Sequence, residues 1–294
     1  MLSDKIREIK FDRLSGASQI ARNALGVLRF FAQTSNHENS RCFVEDFRDV
    51  GRKLFEARPN MAPVQNLVSQ IVYEVGALEE GDMVSVQEFA ESRIDELCKQ
   101  SEDAVKESAR LAATLIGDYD CLSSCSDSST VCEAFRMARQ QGKRFKVFVA
   151  ESRSADGKRR YGETMVVFLK SIDVPAEVFP DNEVSKYVPK TKCVLVGADS
   201  VLFDGSVING KPTYELAVAA KKCGIPFYSV CETSKANTLS YLGKNVELKE
   251  DFDLVPSNQI AGIVTEKGIL DTKAIVEIMK ENSKFFTPPF IRGE

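Results

Sequence analysis

From residue 117 onward, short β-branched runs alternate with helical stretches, and that alternation narrows the fold more than any other feature of the chain. The runs that read as strands are KVFVA (146–150), MVVFLK (165–170), AEVF (176–179), CVLVGAD (193–199), IPFYSV (225–230) and FDLV (252–255). Between them lie VCEAFRMARQQGK (131–143), NEVSKYVPK (182–190) and ELAVAAKKCG (215–224). Continuous apolar strands separated by helices predict a parallel sheet covered on both faces. Ligands of such sheets bind outside the carboxyl ends of the strands.

The first third reads differently. Ile20, Ala24, Leu28 and Phe31 recur at helical spacing, as do Phe43, Phe47, Val50 and Leu54. A third helix is expected in VQNLVSQIVYEV (64–75). Ser85 and Glu88 have the capping-box spacing that opens a fourth, running towards residue 116. No strand is expected before residue 117. The predicted organisation is therefore α/β, with a helical N-terminal domain over 1–116 ending in a long connecting helix. A Rossmann-like parallel-sheet domain over 117–294 follows it.

Charge and composition exclude several classes. The net charge of −4 argues against general nucleic-acid binding. No apolar run reaches membrane-spanning length, and MLSDKIREIK lacks an apolar signal core, so a cytoplasmic protein is expected. Eight dispersed cysteines suggest neither a disulfide framework nor a metal site. The lone histidine, His37 in TSNHENSR, reads as a solvated loop residue, so a pair that uses imidazole as base is not expected.

Four loops could carry chemistry. LSSCSDSSTV (122–131) precedes a helix that Ser126, Asp127, Ser128 or Ser129 could cap. Free amides and serine hydroxyls at that helix start suit an anion and would lower the pKa of a nearby thiol, Cys125. Taken locally, the same stretch reads first as a cap beside an inert buried cysteine, since capping serines are common. Asp199 directly follows an apolar strand, where burial would raise its pKa and fit it for acid–base work; it reads also as a turn acid. Asp204-Gly205 is expected to turn, and Lys211 either meets phosphate or faces solvent. Arg153 could fork onto a phosphate or carboxylate. Glu232 ends another strand, with Lys235 three residues on. If the sheet is parallel, Cys125, Arg153, Asp199 and Glu232 all emerge at one edge, as a shared pocket requires.

At this point the chain resembles the superfamily that unites the α, β and δ subunits of eukaryotic translation initiation factor 2B with methylthioribose-1-phosphate and archaeal ribose-1,5-bisphosphate isomerases. SGASQIARNAL (15–25), LSSCSDSSTV (122–131), VFVAESR (147–153) and CVLVGADSVLFDGSVING (193–210) carry the resemblance. So do FDLVPSNQIAGIVTEKGI (252–269) and the tail PPFIRG (288–293). It implies the two-domain fold above and self-association as a dimer or larger assembly such as a hexamer. Cys125 stands where the isomerases keep a cysteine that acts with an aspartate, here Asp199. The implied phosphate contacts are Gly16, Ala17 and Asn209, beside Ser126, Ser128, Ser129, Arg153, Lys211 and Lys235.

Several motifs depart from the isomerase pattern. Arg-Gly-Ala becomes Ser15-Gly16-Ala17, with Arg13 displaced by two residues. Asn-Gly-Asp becomes Asp204-Gly205-Ser206, and Glu-Thr-Arg-Pro becomes Glu151-Ser152-Arg153-Ser154. Asn-Lys-Ile-Gly-Thr becomes Asn209-Gly210-Lys211-Pro212-Thr213. Two functions follow as expectations. One is a cofactor-free aldose–ketose isomerase acting on a phosphorylated ribose-like sugar. The other is a non-catalytic initiation factor 2B-like subunit that binds a sugar phosphate or nucleotide and contacts initiation factor 2.

Overall fold

The computed structural model describes residues 1–12, 15–59, 61–288 and 290. Arg13 and most of the PPFIRG tail lie outside the described residues. The chain divides into two units, Met1–Glu102 with Ile278–Glu294, and Asp103–Glu277.

The first unit contains α1 (Leu2–Phe11), α2 (Ala17–Thr34), α3 (Ser40–Ala57), α4 (Ala62–Gly76) and the first part of α5 (Met83–Thr114). The helical stripes predict its core. Ile20, Ala24 and Leu28 of α2 are buried, and so are Phe43, Phe47, Val50 and Leu54 of α3. Phe31 stacks on Phe43 at 5.7 Å between ring centroids. His37 is less solvated than its polar neighbours suggest. Its ring sits 5.9 Å from Phe43, and Nε2 pairs with Asp46 at 2.9 Å. The tail after α11 (Thr272–Asn282) returns to this unit, where Phe286 and Phe290 flank Phe55 and Phe285 meets Tyr73.

The start of α5 differs from the capping-box reading of Ser85 and Glu88. The helix begins at Met83, and Asp82 Oδ1 accepts from the Ser85 amide at 3.1 Å. Hydrogen bonds from Ser85 hold the Asp82 carboxyl below its ordinary range. Asp82 is thus the residue that satisfies the free amides at the helix start.

The second unit is a seven-stranded sheet. Its strands are β1 (Cys121–Ser124), β2 (Lys146–Ala150), β3 (Ala176–Phe179), β4 (Cys193–Val196), β7 (Phe227–Val230), β9 (Gly262–Thr265) and β10 (Gly268–Leu270). The order across the sheet is β10-β9-β7-β4-β1-β2-β3. All neighbours pair in parallel except β9 and β10. Both faces are covered. Leu122, Val147, Val149, Cys193 and Leu195 pack on one side against α5, α6 (Ser129–Gln140) and α7 (Tyr161–Ser171). Phe148, Ala150, Val194 and Val196 pack on the other against α8 (Val184–Tyr187) and α9 (Thr213–Lys222). Alternate residues of β2 and β4 go to opposite cores, which explains the continuous apolar runs of these two strands. A short α10 (Thr238–Tyr241) follows β7.

Two strand readings need correction. MVVFLK lies in α7, where Gly162, Met165, Val166 and Leu169 are buried at helical spacing while Val167 is 70% exposed. A strand would have buried alternate residues instead. FDLV does form β8 (Phe252–Val255), but in a separate antiparallel sheet with β5 (Ser200–Val201) and β6 (Val207–Gly210). Gly205, at φ +79°, makes the expected turn between β5 and β6. Among the described residues, no strand precedes Cys121, and no helix is long and apolar enough to cross a membrane.

Candidate functional site

Strand order reverses direction in sequence at β1, whose neighbours are β2 on one side and β4 on the other. Such a reversal leaves a crevice at the carboxyl ends of the flanking strands. Cys125 follows β1 directly, and Gly197-Ala198-Asp199 follows β4. Glu151 to Arg153 follow β2, and Cys231 to Lys235 follow β7. Because these four strands are parallel neighbours, the four loops emerge at one edge.

Cys125 is fully buried, and its Sγ lies 3.2 Å from Thr213 Oγ1 at the first residue of α9. Burial pushes the thiol up to about 12, and Asp253, Asp181 and Glu215 add to the rise. This reverses the expected direction. The helix start at α6 would favour a thiolate, but desolvation of the sulfur outweighs it.

Asp199 is partly buried and its amide donates to the Ile208 carbonyl at 2.8 Å. Desolvation raises its carboxyl above the usual range and Lys235 opposes that rise. The expected direction therefore holds. Asp127, which precedes the cap of α6, is also raised by desolvation.

The loop around Cys125 has an unusual backbone. Ser126 and Ser152 adopt φ of +63° and +53°, outside the range ordinary residues favour. The Ser126 amide donates to Ser152 Oγ at 2.7 Å, locking the β1 loop to the β2 loop. Asp181 fixes the latter, accepting from the amides of Ser152 at 2.8 Å and Arg153 at 3.0 Å. Of the four candidate caps, Ser128 is the N-cap of α6, with its Oγ accepting from the Val131 amide at 3.4 Å. Ser129 is exposed. Glycine at 197 allows the close approach of Ser128, because a Cβ there would meet Ser128 Oγ at 2.6 Å and displace it.

The remaining residues separate into two groups. Buried Asn209 donates from Nδ2 to Thr213 Oγ1 at 2.9 Å and so joins the Cys125 network. Lys235 is also buried, 3.9 Å from Glu232 Oε2. Lys211 is exposed, with its amide bonded to the Asp251 carbonyl. Arg153 does fork onto a carboxylate, but that of Glu151, at 3.2 Å through both Nε and Nη2. Gly16 caps α2 and Ala17 begins it, in the first unit.

Sequence reasoning missed Thr213, Thr130 and Asp181. Thr213 carried a signal, since it closes the Asn209-Gly210-Lys211-Pro212-Thr213 motif just before the helical stretch that begins at residue 215. Asp181 carried none. It reaches the β2 loop from the segment after β3, and only the tertiary fold brings them together. Among the described residues, no group of three or more histidine, cysteine or acidic side chains is placed to hold a metal ion.

Comparison with known proteins gives four further findings. A family model described as "Initiation factor 2 subunit family" matches residues 13–251. The "Putative translation initiation factor eIF-2B subunit 2-like" protein of Pyrococcus abyssi is 31% identical over 287 residues, covering 92% of this chain and 98% of its own. The "Ribose 1,5-bisphosphate isomerase" of Haloferax volcanii is 28% identical over 298 residues, covering 93% of this chain and 90% of its own. Among solved structures, that of the Pyrococcus horikoshii OT3 translation initiation factor eIF-2B aligns with a TM-score of 0.76 at 27% identity. The alignment covers 92% of this chain and 96% of that one.

Proposed function

The chain belongs to the initiation factor 2 subunit family, and from that premise we propose that it is an aldose–ketose isomerase acting on a phosphorylated ribose-like sugar of the ribose 1,5-bisphosphate kind. One observation carries the reading. Cys125 and Asp199 stand at the ends of adjacent strands where the sheet order reverses, and burial pushes both pKa values upward. Pairs of titratable groups tuned away from their usual values are the equipment of acid–base chemistry.

The reaction opens the sugar ring and moves hydrogen between C1 and C2. A thiol raised to about 12 holds its proton at neutral pH, so Cys125 starts as the donor to a substrate oxygen. Asp199, with Lys235 opposing its rise, is the group that accepts. The substrate gains one proton from Cys125 and loses one to Asp199, so its own balance is zero, and the proton on Asp199 returns to the Cys125 thiolate, directly or through solvent, to reset the pair. The α6 start at Ser128 and Ser129, with Ser126, Arg153, Asn209, Lys211 and Lys235, supplies donors for phosphate.

The test is direct. The protein is incubated with ribose 1,5-bisphosphate and related sugar 1-phosphates, and ketose formation is followed by NMR. Turnover is expected, and Cys125→Ser should abolish it while leaving ligand binding intact. Full activity in that variant, or no turnover of any sugar, overturns the reading.

Two observations favour a second reading. Cys125 has no exposed surface and the Arg153 guanidinium is already paired with Glu151. A non-catalytic subunit that binds a sugar phosphate or nucleotide and contacts initiation factor 2 would show binding without turnover. It would also capture that factor in a pull-down.

A further inference from the structure

We propose that Glu232 is a positioning residue of this site: buried between the Thr130 hydroxyl and the Lys235 ammonium, it sets how Lys235 presents its charge to Asp199. The inference rests on the reading of Asp199 as the acid–base group.

Glu232 follows β7 and is 1% exposed, and so is Thr130 in the first turn of α6. Thr130 Oγ1 donates to Glu232 Oε1 at 2.7 Å. Lys235 Nζ lies 3.9 Å from the other oxygen, Oε2. A carboxylate so deep in a protein persists only when hydrogen-bonded and paired. The Thr130 bond fixes the carboxylate. At 3.9 Å the lysine makes an ion pair beyond hydrogen-bond range, which leaves its N–H donors for other oxygens.

The backbone brings the Lys235 turn beside the Asp199 loop. The Lys235 amide donates to the Glu232 carbonyl at 3.0 Å, closing a tight turn. That turn is stitched to the residues directly after Asp199. Ala236 bridges Val201, the Asn237 amide donates to the Val201 carbonyl at 2.8 Å, and Asn237 Nδ2 donates to Ser200 Oγ at 3.3 Å. The turn that carries Glu232 and Lys235 is thereby held against the loop that carries Asp199, and the Lys235 charge acts on the Asp199 carboxyl as well as on Glu232. Glu266, from the β9–β10 turn, also lies near Cys231 and is occupied by the amide and hydroxyl of Thr233. The Cys231 thiol, pushed up to about 12 by burial, is neutral.

The arrangement gives opposite signs for two changes. Glu232→Gln keeps an acceptor for Thr130 but removes one negative charge, so Lys235 acts on Asp199 alone. Thr130→Val removes one of the bonds that hold Glu232, loosening the carboxylate towards Lys235 and so drawing the lysine away from Asp199. A purely structural role for Glu232 would change unfolding without moving the titration of Asp199.

The experiment titrates the 13C-labelled Asp199 carboxyl by NMR, assigned through Asp199→Asn. It compares wild type, Glu232→Gln, Thr130→Val and Lys235→Met, with folding checked by circular dichroism. Lys235→Met should raise the Asp199 midpoint by about 1 pH unit. Glu232→Gln should lower it by about 0.5, and Thr130→Val should raise it. A midpoint unmoved or raised in Glu232→Gln overturns the proposal. If that variant does not fold, a midpoint unmoved or lowered in Thr130→Val does the same. Turnover is not read, so a failed isomerase assay and a failed positioning role remain separate results.

Discussion

Thr213 Oγ1 accepts a hydrogen bond from Cys125 Sγ, 3.2 Å away, and the direction of that bond follows from the other partners of Thr213. A threonine hydroxyl has one proton to give. Thr213 gives it to the Gly210 carbonyl, while Asn209 Nδ2 donates to it at 2.9 Å. The Cys125 S–H must therefore be the donor. Geometry and burial agree that the thiol keeps its proton in the resting protein.

Thr213→Val preserves shape and removes the hydroxyl. The buried Asn209 amide then loses its acceptor, which costs about 1–3 kcal/mol. Urea unfolding should report that loss, and Thr213→Ser should recover most of it. A valine variant as stable as wild type would mean that Asn209 had found another partner.

Burial also predicts which thiols resist modification. Cys125, Cys132, Cys193 and Cys231 are buried and each is pushed up to about 12. A shift from 9.0 to about 12 leaves on the order of a thousandfold less thiolate at neutral pH. Maleimide labelling read by mass spectrometry should mark exposed Cys42 and Cys223 first. The four buried cysteines should label only on unfolding. Rapid native labelling of Cys125 would mean that the β1 loop opens readily.

Much of this architecture was legible because periodicity reports burial directly. The stripes of α2 and α3 reach the core through the residues whose spacing marks them. The site loops were legible because an apolar strand ending in Gly-Ala-Asp says where its carboxyl end lies. MVVFLK was misread because a six-residue apolar run fits a strand or a buried helix turn equally well. Gly162 before it, with Met165, Val166 and Leu169 inside it, carried the helical period. β1 was missed for the opposite reason, since CLSS holds two serines that are buried anyway. The thiol direction failed because local sequence shows the helix start but not the desolvation that opposes it.

Gly197 and Ser128 offer a test of close approach across the crevice. A Cβ on Gly197 would fall 2.6 Å from Ser128 Oγ and 2.8 Å from its Cβ. Gly197→Ala should cost about 1–3 kcal/mol through the displaced helix cap. Ser128→Gly alone should cost only a few tenths, because glycine is tolerated at an N-cap. The double variant should be more stable than the Gly197→Ala variant, a non-additivity that a double-mutant cycle of unfolding free energies measures. Simple additivity would show that the two residues do not meet.

Asp199 makes stability depend on pH with a definite sign. Its carboxyl is raised above the ordinary 3.8 in the folded protein, chiefly by desolvation. Below 3.8 both folded and unfolded chains hold the proton, and the contribution of the neutral carboxyl to stability is fully present. As pH rises through the folded value that contribution is lost, because folding must then keep a charge in a partly dry site. Each unit of upward shift corresponds to about 1.4 kcal/mol lost at high pH. Asp199→Asn removes the titration, so its stability relative to wild type should improve as pH rises from about 4 to 8. Lys235 opposes the shift, so the same comparison in a Lys235→Met background should give a steeper gain. Chemical denaturation across that range measures both slopes. A relative stability that falls with pH would show that Lys235, rather than desolvation, dominates the carboxyl.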